Sequence, residues 1–316
     1  MRTSFLKPVL LAIVLCWSTA LAYTEERGVL SFNLKVGETY RLKTVSEQNI
    51  KQTILGRRQD MNSRMTSIFG FKILQKDSAN TVLMEVVYES LAMEVKASEM
   101  QMKYDSESNG RDTTNFMAGV YDQIIGKPFK VSMSATGELK EISGLEALIE
   151  ELVNKYGKND ELLKFQLKTN LNNLLGEDGL KSHIGTLTAI YPATPVKEGE
   201  SWSNQLKISS SMSYKVDNKW TLEGVDNGEL RIKGESVISV PEGGGQSNMN
   251  GMVANYQLSG TQVSEVVAEE ESGWIKSSIV KQNIEGKVEI KKNEYFPEGV
   301  SWPVIFESLV KVSRPE

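Results

Sequence analysis

From Thr39 to Tyr104 the side chains alternate with a period of two. That pattern commits the chain to half-buried β-strands, because successive strand residues point to opposite faces. Phe69, Phe71 and Ile73 form one apolar face. Val82, Met84, Val86 and Tyr88 form another, with Leu83, Glu85, Val87 and Glu89 opposite. Turn-like breaks at Gly56-Arg57-Arg58-Gln59 and Lys76-Asp77-Ser78-Ala79-Asn80 divide the stretch into an antiparallel meander, with a shorter strand expected near Glu99 to Tyr104.

The period then changes. Asp112-Thr113-Thr114 reads as a helix start, with Phe116, Val120 and Ile124 as its stripe and Gly126 as its close. Phe129 to Met133 alternates again, and Gly137 to Ile142 resembles a hairpin return. Beyond Gly144, Leu145, Leu148, Ile149, Leu152, Val153 and Tyr156 recur at helical spacing. A second helical stripe is expected through Leu162, Phe165, Leu167, Leu171 and Leu174, and a weaker third through Leu180, Ile184 and Leu187. Tyr191-Pro192-Ala193-Thr194-Pro195 stops the helices. Strands resume at Ser201, with hairpin turns expected at Asp217-Asn218, Asp226-Asn227-Gly228 and Ser272-Gly273, a looser break at Pro241 to Gly245, and a last strand at Val304 to Val312.

The expected fold is therefore α+β: long curved antiparallel β-strands from both ends of the chain, with a central helical segment packed on one face, an incomplete-barrel-like shape. The divisions are a signal peptide at residues 1–22, a β-rich unit with one helix at 23–143, a helical segment at 144–190 and a second β-rich unit at 196–316. Gly37-Glu38-Thr39-Tyr40 and Gly199-Glu200-Ser201-Trp202 open the two β-rich units alike, and Gln48-Asn49-Ile50 returns as Gln282-Asn283-Ile284. These echoes raise a duplicated β unit, against the plain alternative that Gly-Glu-Ser/Thr-aromatic is a recurrent strand start.

Arg2 and Lys7 precede an apolar run from Pro8 to Trp17, and Ala20-Leu21-Ala22 places small residues before Tyr23. This is the pattern of a cleavable secretory signal, too short to span a bilayer. Cys16, the single cysteine, follows Ile13-Val14-Leu15 rather than the small residues of a lipidation site. Cleavage would take two of the 36 basic residues and none of the 41 acidic ones, moving formal charge from −5 to −7. An acidic surface disfavours nucleic acid as a partner. The mature chain has no cysteine for a disulfide and no Asn-x-Ser/Thr acceptor, which together favour a bacterial envelope over a eukaryotic extracellular setting. No second apolar stretch is long enough to cross a membrane. The expected destination is across the inner membrane of a Gram-negative bacterium, in the periplasm or associated with the outer membrane.

No catalytic constellation emerges, and no catalytic residue, metal ligand or cofactor is assigned. His183 is the only histidine, beside Ser182 but without a nucleophile-elbow glycine pattern, so it reads as a surface or helix-end residue. Zinc needs several His or Cys ligands, which the chain lacks. Asp105, Glu107, Asn109 and Gly110 follow calcium-loop spacing, but Phe116 stands where the closing glutamate belongs. Glu85, Glu89, Glu94 and the run Glu269-Glu270-Glu271 are open to two-carboxylate chemistry, yet they sit where solvated faces and turns put charge. Gly243-Gly244-Gly245 lacks the Lys-Ser/Thr and helix of a phosphate loop. Trp202, Trp220, Trp274 and Trp302 are scattered at strand starts rather than gathered as a sugar platform. Met93, Met100, Met102, Met117 and Met133 cluster around the first sheet and helix, which suits either an irregular core or an adaptable apolar binding surface.

Val-Gly-Glu-Thr-Tyr, Glu-Gln-Asn-Ile-Lys-Gln-Thr-Ile, Leu-Met-Glu-Val-Val-Tyr-Glu-Ser and Lys-Tyr-Asp-Ser, followed by Gly-Glu-Ser-Trp, Tyr-Gln-Leu-Ser-Gly-Thr and Ser-Gly-Trp-Ile-Lys-Ser-Ser, occur in order along the chain. In that order they resemble a family of secreted bacterial proteins common in Bacteroidetes, the domain of unknown function 6263. The resemblance implies compartment and architecture and carries no site residues. The function expected is a non-enzymatic envelope protein binding an apolar or lipid-like ligand between sheet and helices. The alternatives are an interaction module that pairs with an envelope protein partner and, behind both, a carboxylate-dependent hydrolase.

Overall fold

The structure is a computed structural model that describes residues 29–98, 100–108, 116–209, 213–240, 245–249 and 252–316. The signal segment, Asp112-Thr113-Thr114, Asn109, Gly110 and most of the Pro241 break lie outside the described residues.

Thirteen strands among the described residues form one antiparallel sheet. In chain order the first meander is β1 (Thr39–Ile54), β2 (Arg57–Lys76), β3 (Val82–Ala97), β4 (Met100–Asp105), β5 (Phe129–Met133) and β6 (Leu139–Ser143). The second is β7 (Ser201–Ser209), β8 (Ser213–Asp226), β9 (Glu229–Ser239), β10 (Gln246–Met249), β11 (Met252–Glu269), β12 (Ile275–Ile290) and β13 (Val300–Ser313). The sheet runs β6-β5-β3-β2-β1-β13-β12-β11-β9-β8-β7, with β4 beside β3 and β10 beside β11. The two meanders fuse where β1 pairs with β13, from Lys43 opposite Ser313 to Gln52 opposite Val304. The architecture is thus β-rich, with the helices a minor part.

The meanders start alike. Gly37 (φ 89°) and Gly199 (φ 82°) occupy a left-handed conformation that a side chain would strain. In the first turn Gly37 N–H donates to Ile73 O, Ile73 N–H to Glu38 O and Glu38 N–H to Lys35 O. In the second, Gly199 donates to Leu222, Leu222 to Glu200 and Glu200 to Lys197 in the same pattern. Each second strand then carries a register shift at the same place, Ile73/Gln75 in β2 and Leu222/Gly224 in β8.

Two expected turns fall elsewhere. The β1–β2 connection is Leu55-Gly56, both with positive φ (49° and 78°), so Arg57 to Gln59 belong to β2. Asp217-Asn218 lies inside β8, paired with β7 and β9. Its period-two alternation overrides the turn preference of the two residue types. Asn227-Gly228 does form a tight turn, with φ of 50° and 75°.

The helices are α1 (Phe116–Asp122), α2 (Glu146–Gly157), α3 (Glu161–Leu175), α4 (Glu177–Leu180), a π-helical turn at Lys181–Gly185, and α5 (Thr186–Thr188). Asp160 caps α3 by accepting from the Leu163 N–H at 2.9 Å. The expected stripe of α3 is corrected by burial: Leu167, Leu171 and Leu175 are buried, whereas Leu162 (66% exposed) and Phe165 (56%) face outward. The spacing i, i+4, i+8 wins over the longer apolar run because only one face meets the core.

One apolar cluster joins Ile149, Leu152, Leu171, Leu180 and Ile184 of this segment to Leu42, Phe71, Tyr88, Trp220 and Leu222 of the sheet. A second cluster, made by Val216, Ile238, Ile284, Trp302 and Val304, occupies the other end of the strands. The two edge strands, β6 and β7, do not pair. α4 touches both of them. Beyond it, Thr188 Oγ1 donates to Gly137 O (2.7 Å) and Tyr191 N–H to Thr136 O (3.3 Å) on the β5–β6 side. On the β7 side, Trp202 Nε1 donates to Ile190 O (3.0 Å) and Asn204 Nδ2 to Ala189 O (2.6 Å). Residues 186–191 therefore strap the seam that hydrogen bonding between strands leaves open.

Candidate functional site

The inward faces of the strands enclose a cavity of about 480 Å³. Its walls include Ile50, Met61, Met65 and Phe69 from β1 and β2, Tyr88 from β3, Ile208 and Tyr214 from β7 and β8, and Val280, Ile284, Phe306 and Val310 from β12 and β13. Ser182, His183, Thr186 and Leu187 of the helical segment complete it. Tyr88 and Tyr214 lie seven strand positions apart in the sheet order. On a flat sheet that is roughly 34 Å, at about 4.8 Å per step. Both reach one cavity because the sheet curls around it.

A polar row crosses this interior. Asn204 stands opposite Asn218, Asn218 opposite Ser236, and Ser236 opposite Gln262. The row continues from Gln262 to Gln282, then Ser308, Gln48 and Ser63. Eight strands thus contribute one inward-facing amide or hydroxyl at the same level, and none contributes a charge. Two residues along the strands the row is apolar: Ile50, Phe306, Ile284, Ile238, Val216 and Leu206, with Gly260 among them. On the other side lie Met65, Val310, Val280, Trp220 and Trp202, interspersed with Ser46, Ser264 and Gly234.

Between β7 and β12 the row is bonded in two groups, one across β7, β8 and β9 and one across β11 and β12. Asn218 Nδ2 donates to Asn204 Oδ1 (2.8 Å), as does Trp220 Nε1 (3.2 Å), and Ser236 Oγ donates to Asn218 Oδ1 (2.6 Å). Gln282 Nε2 donates to Gln262 Oε1 (2.7 Å), and Gln262 Nε2 to Ser264 Oγ (3.1 Å). Gln48, Gln262, Gln282 and Ser308 line the cavity. So does Ser67, whose hydroxyl is fully buried without a hydrogen-bond partner.

The ionisable groups of the wall are held neutral. Burial raises the phenol pKa of Tyr88 and of Tyr214 above the usual value, so both keep their protons. His183 lines the cavity and is exposed to solvent, and desolvation by the surrounding protein lowers its pKa from the ordinary value. It sits in the π-helical turn, where Ser182 Oγ donates to Asp178 O (2.8 Å) and is thereby tied to the backbone.

A larger open groove, about 870 Å³, lies against β7, β8, β9 and β11. The outward-facing Asp217, Lys219 and Glu235 line it, on the side of the sheet away from the helices. The smaller cavity is the better candidate because eight strands and the helical segment converge on it.

The sequence candidates fall as follows. Glu94 pairs with Lys96, and Glu89 pairs with Arg41. Glu271 pairs with Lys35, and Glu269 takes the Ser272 hydroxyl and Arg314. These carboxylates serve the outer surface and its turns. Asp105 Oδ1 accepts from the Glu107 N–H (2.9 Å) in an ordinary turn. Among the described residues no group of three or more His, Cys, Asp or Glu is placed to hold a metal ion. The cavity methionines are Met61 and Met65, not Met93, Met102 or Met133 of the cluster singled out from the sequence. The scattered tryptophans have separate structural roles. Trp274 packs with Phe32, Tyr40 and Phe71 at centroid distances of 6.0, 5.0 and 5.3 Å, while Trp302 Nε1 donates to Gln52 Oε1 (3.0 Å). Sequence reading missed the polar row; it set His183 at the surface or a helix end, and His183 is exposed in the π-helical turn, where it also lines the cavity. The available signal was a neutral polar residue at an inward position of an alternating strand, recurring at Gln48, Asn218, Gln262 and Gln282.

Residues 79–275 match the model of a family of unknown function, DUF6263. Among curated proteins there is no match to the chain. Among solved structures, lipovitellin, in a study of its lipid–protein interactions, is similar over 89% of this chain and 25% of its own, at 12% identity and a TM-score of 0.46. This chain therefore spans about a quarter of the length of that protein. An outer-membrane channel of Pseudomonas putida F1 is similar over 89% and 97%, at 7% identity and a TM-score of 0.25. A putative outer-membrane lipoprotein-sorting protein domain of Vibrio parahaemolyticus is similar over 87% and 83%, at 7% identity and a TM-score of 0.13.

Proposed function

The chain belongs to the DUF6263 family of unknown function, and for it we propose a non-enzymatic role: binding an apolar or lipid-like ligand inside the curled sheet, with the helical segment as the wall that closes it. The observation that supports this reading is the cavity of about 480 Å³ with Ile, Val, Met, Phe and Tyr walls. Its volume falls within the roughly 300–1,000 Å³ that small-molecule sites occupy. The basic, apolar and small-residue order of residues 1–22 assigns this work to the envelope, as a periplasmic or outer-membrane-associated protein. The partner-pairing alternative is less favoured at the two ends of the main strand order, β6 and β7, which are met by α4 and by the strap that follows it. Native mass spectrometry of the exported chain, purified without detergent, tests the reading. Wild type should carry or take up lipid, and Val310→Phe, which projects a larger ring into the cavity, should take up less while keeping its circular dichroism. A wild-type chain that stays empty after exposure to envelope lipid extract would overturn the proposal.

A further inference from the structure

Resting on that ligand-binding reading, we infer the ligand's class: an uncharged amphiphile, a single acyl or alkyl chain interrupted or ended by a hydroxyl, ester or amide group, in preference to the ionised fatty acid of the same length. The inference comes from the order of chemistry along the cavity wall. Val280 and Val310 lie on one side of the polar row, and Ile50, Ile284 and Phe306 on the other. Alternate residues on a strand are about 7 Å apart, so the polar band is one functional group high. A chain lying along the strands meets apolar wall, then amide and hydroxyl, then apolar wall again.

The band suits a neutral group. Gln side chains both donate and accept, as do Ser hydroxyls, so Gln48, Gln282 and Ser308 can match an ester carbonyl, a hydroxyl or an amide. A carboxylate or phosphate would meet no lysine or arginine among the lining residues. Losing water without a counter-ion is costly for an ionised group, whereas a neutral polar group needs only its hydrogen bonds.

Displacement of the neutral apolar dye N-phenyl-1-naphthylamine from the full mature chain at pH 8 tests this, with 1-monolauroylglycerol and dodecanoate as competitors. The glyceride should displace the dye at a concentration at least about tenfold lower than the carboxylate. Gln48→Leu, a change at a half-buried wall position, should weaken the glyceride about fivefold relative to the dye, whose own affinity is measured for each variant. Dodecanoate competing as well as the glyceride, or a glyceride insensitive to both Gln48→Leu and Ser308→Ala, would overturn the inference while the binding role stood. Failure of dye and both amphiphiles to bind would overturn the binding role and this inference with it.

Discussion

Replacing Asn218 by Leu tests whether the polar row is part of the fold's stability. Asn218 is 2% exposed and Ser236 5%, so neither can turn to water. The substitution keeps the branching and heavy-atom count of the side chain but removes the bonds to Asn204 Oδ1 and from Ser236 Oγ. Two lost bonds cost about 1 kcal/mol each, and the stranded Ser236 hydroxyl costs about 1–3 kcal/mol more. The leucine regains part of this through its apolar area, which leaves a net loss of about 1–3 kcal/mol. Ser236→Ala alone leaves an unpaired carbonyl on Asn218 and should cost about 1 kcal/mol. Asn218→Leu with Ser236→Ala strands neither group of that pair, so the double variant should be more stable than the two single losses predict, by about 1–2 kcal/mol. Urea unfolding of all four proteins measures the cycle, with equal m-values as the check that the unfolding transition is unchanged. Additivity within about 0.5 kcal/mol would refute the idea that these side chains act as one network.

The same interior gives further expectations. A Cβ at Gly234 would lie 2.4 Å from the buried indole of Trp220, whose Nε1 is held by Asn204, so Gly234→Ala should cost about 1–3 kcal/mol in urea unfolding. At Gly70 the nearest atom is Glu89 Oε1 at 2.6 Å, the end of a movable side chain, and Gly70→Ala should stay within about 0.5 kcal/mol; equal costs at the two glycines would discredit the packing argument. Gly137 combines φ of 88° with a Cβ position 1.8 Å from Thr188 O, so Gly137→Ala should cost about 3 kcal/mol or more and speed hydrogen exchange at the Tyr191 amide, and normal protection there would show that the strap does not depend on this contact. His183 has a folded pKa below 6.5 because desolvation disfavours its charged form, so the unfolded chain binds more protons and stability falls as pH drops through 6.5 towards the folded value. His183→Gln should flatten that part of the thermal-stability profile, and a slope between pH 7.5 and 5.5 identical to wild type would contradict the assignment.

What the sequence made legible was local. Alternation found the strands, and Asn227-Gly228 marked its turn because positive φ selects those residues. Leu55 was not legible as a turn residue, since nothing in its chemistry favours φ of 49°; its position between two strands in full register imposes it. Asp217-Asn218 misled in the opposite direction: polar turn formers sat mid-strand because Asn204 and Ser236 satisfy the inward amide of Asn218. Burial of one helix face could be read at α2, but at α3 the apolar excess of Leu162 and Phe165 hid which face meets the core. The fusion of the two meanders is a contact between residues near opposite ends of the chain, such as Lys43 and Ser313, and no periodicity encodes it.

The polar row was invisible for the same reason, since its members are far apart in sequence and become neighbours only through seven strand registers. An interior selected for stability alone would place valine or isoleucine there, as the next row along the strands does. Slipping one strand by a single residue turns its apolar face outward, but slipping it by two preserves both faces and is opposed only by what each inward residue meets. In this sheet a two-residue slip moves an amide or hydroxyl against Ile, Val or Phe, so the row discriminates against the slip that alternation tolerates. A buried asparagine sets register in coiled coils on the same principle. Register requires only that the row be polar and paired, which Asn204, Asn218, Ser236, Gln262 and Gln282 achieve among themselves. Gln48 and Ser308 continue the same row along the cavity wall. Those two groups face the cavity together with Gln282, where a neutral, hydrogen-bonding ligand would meet them.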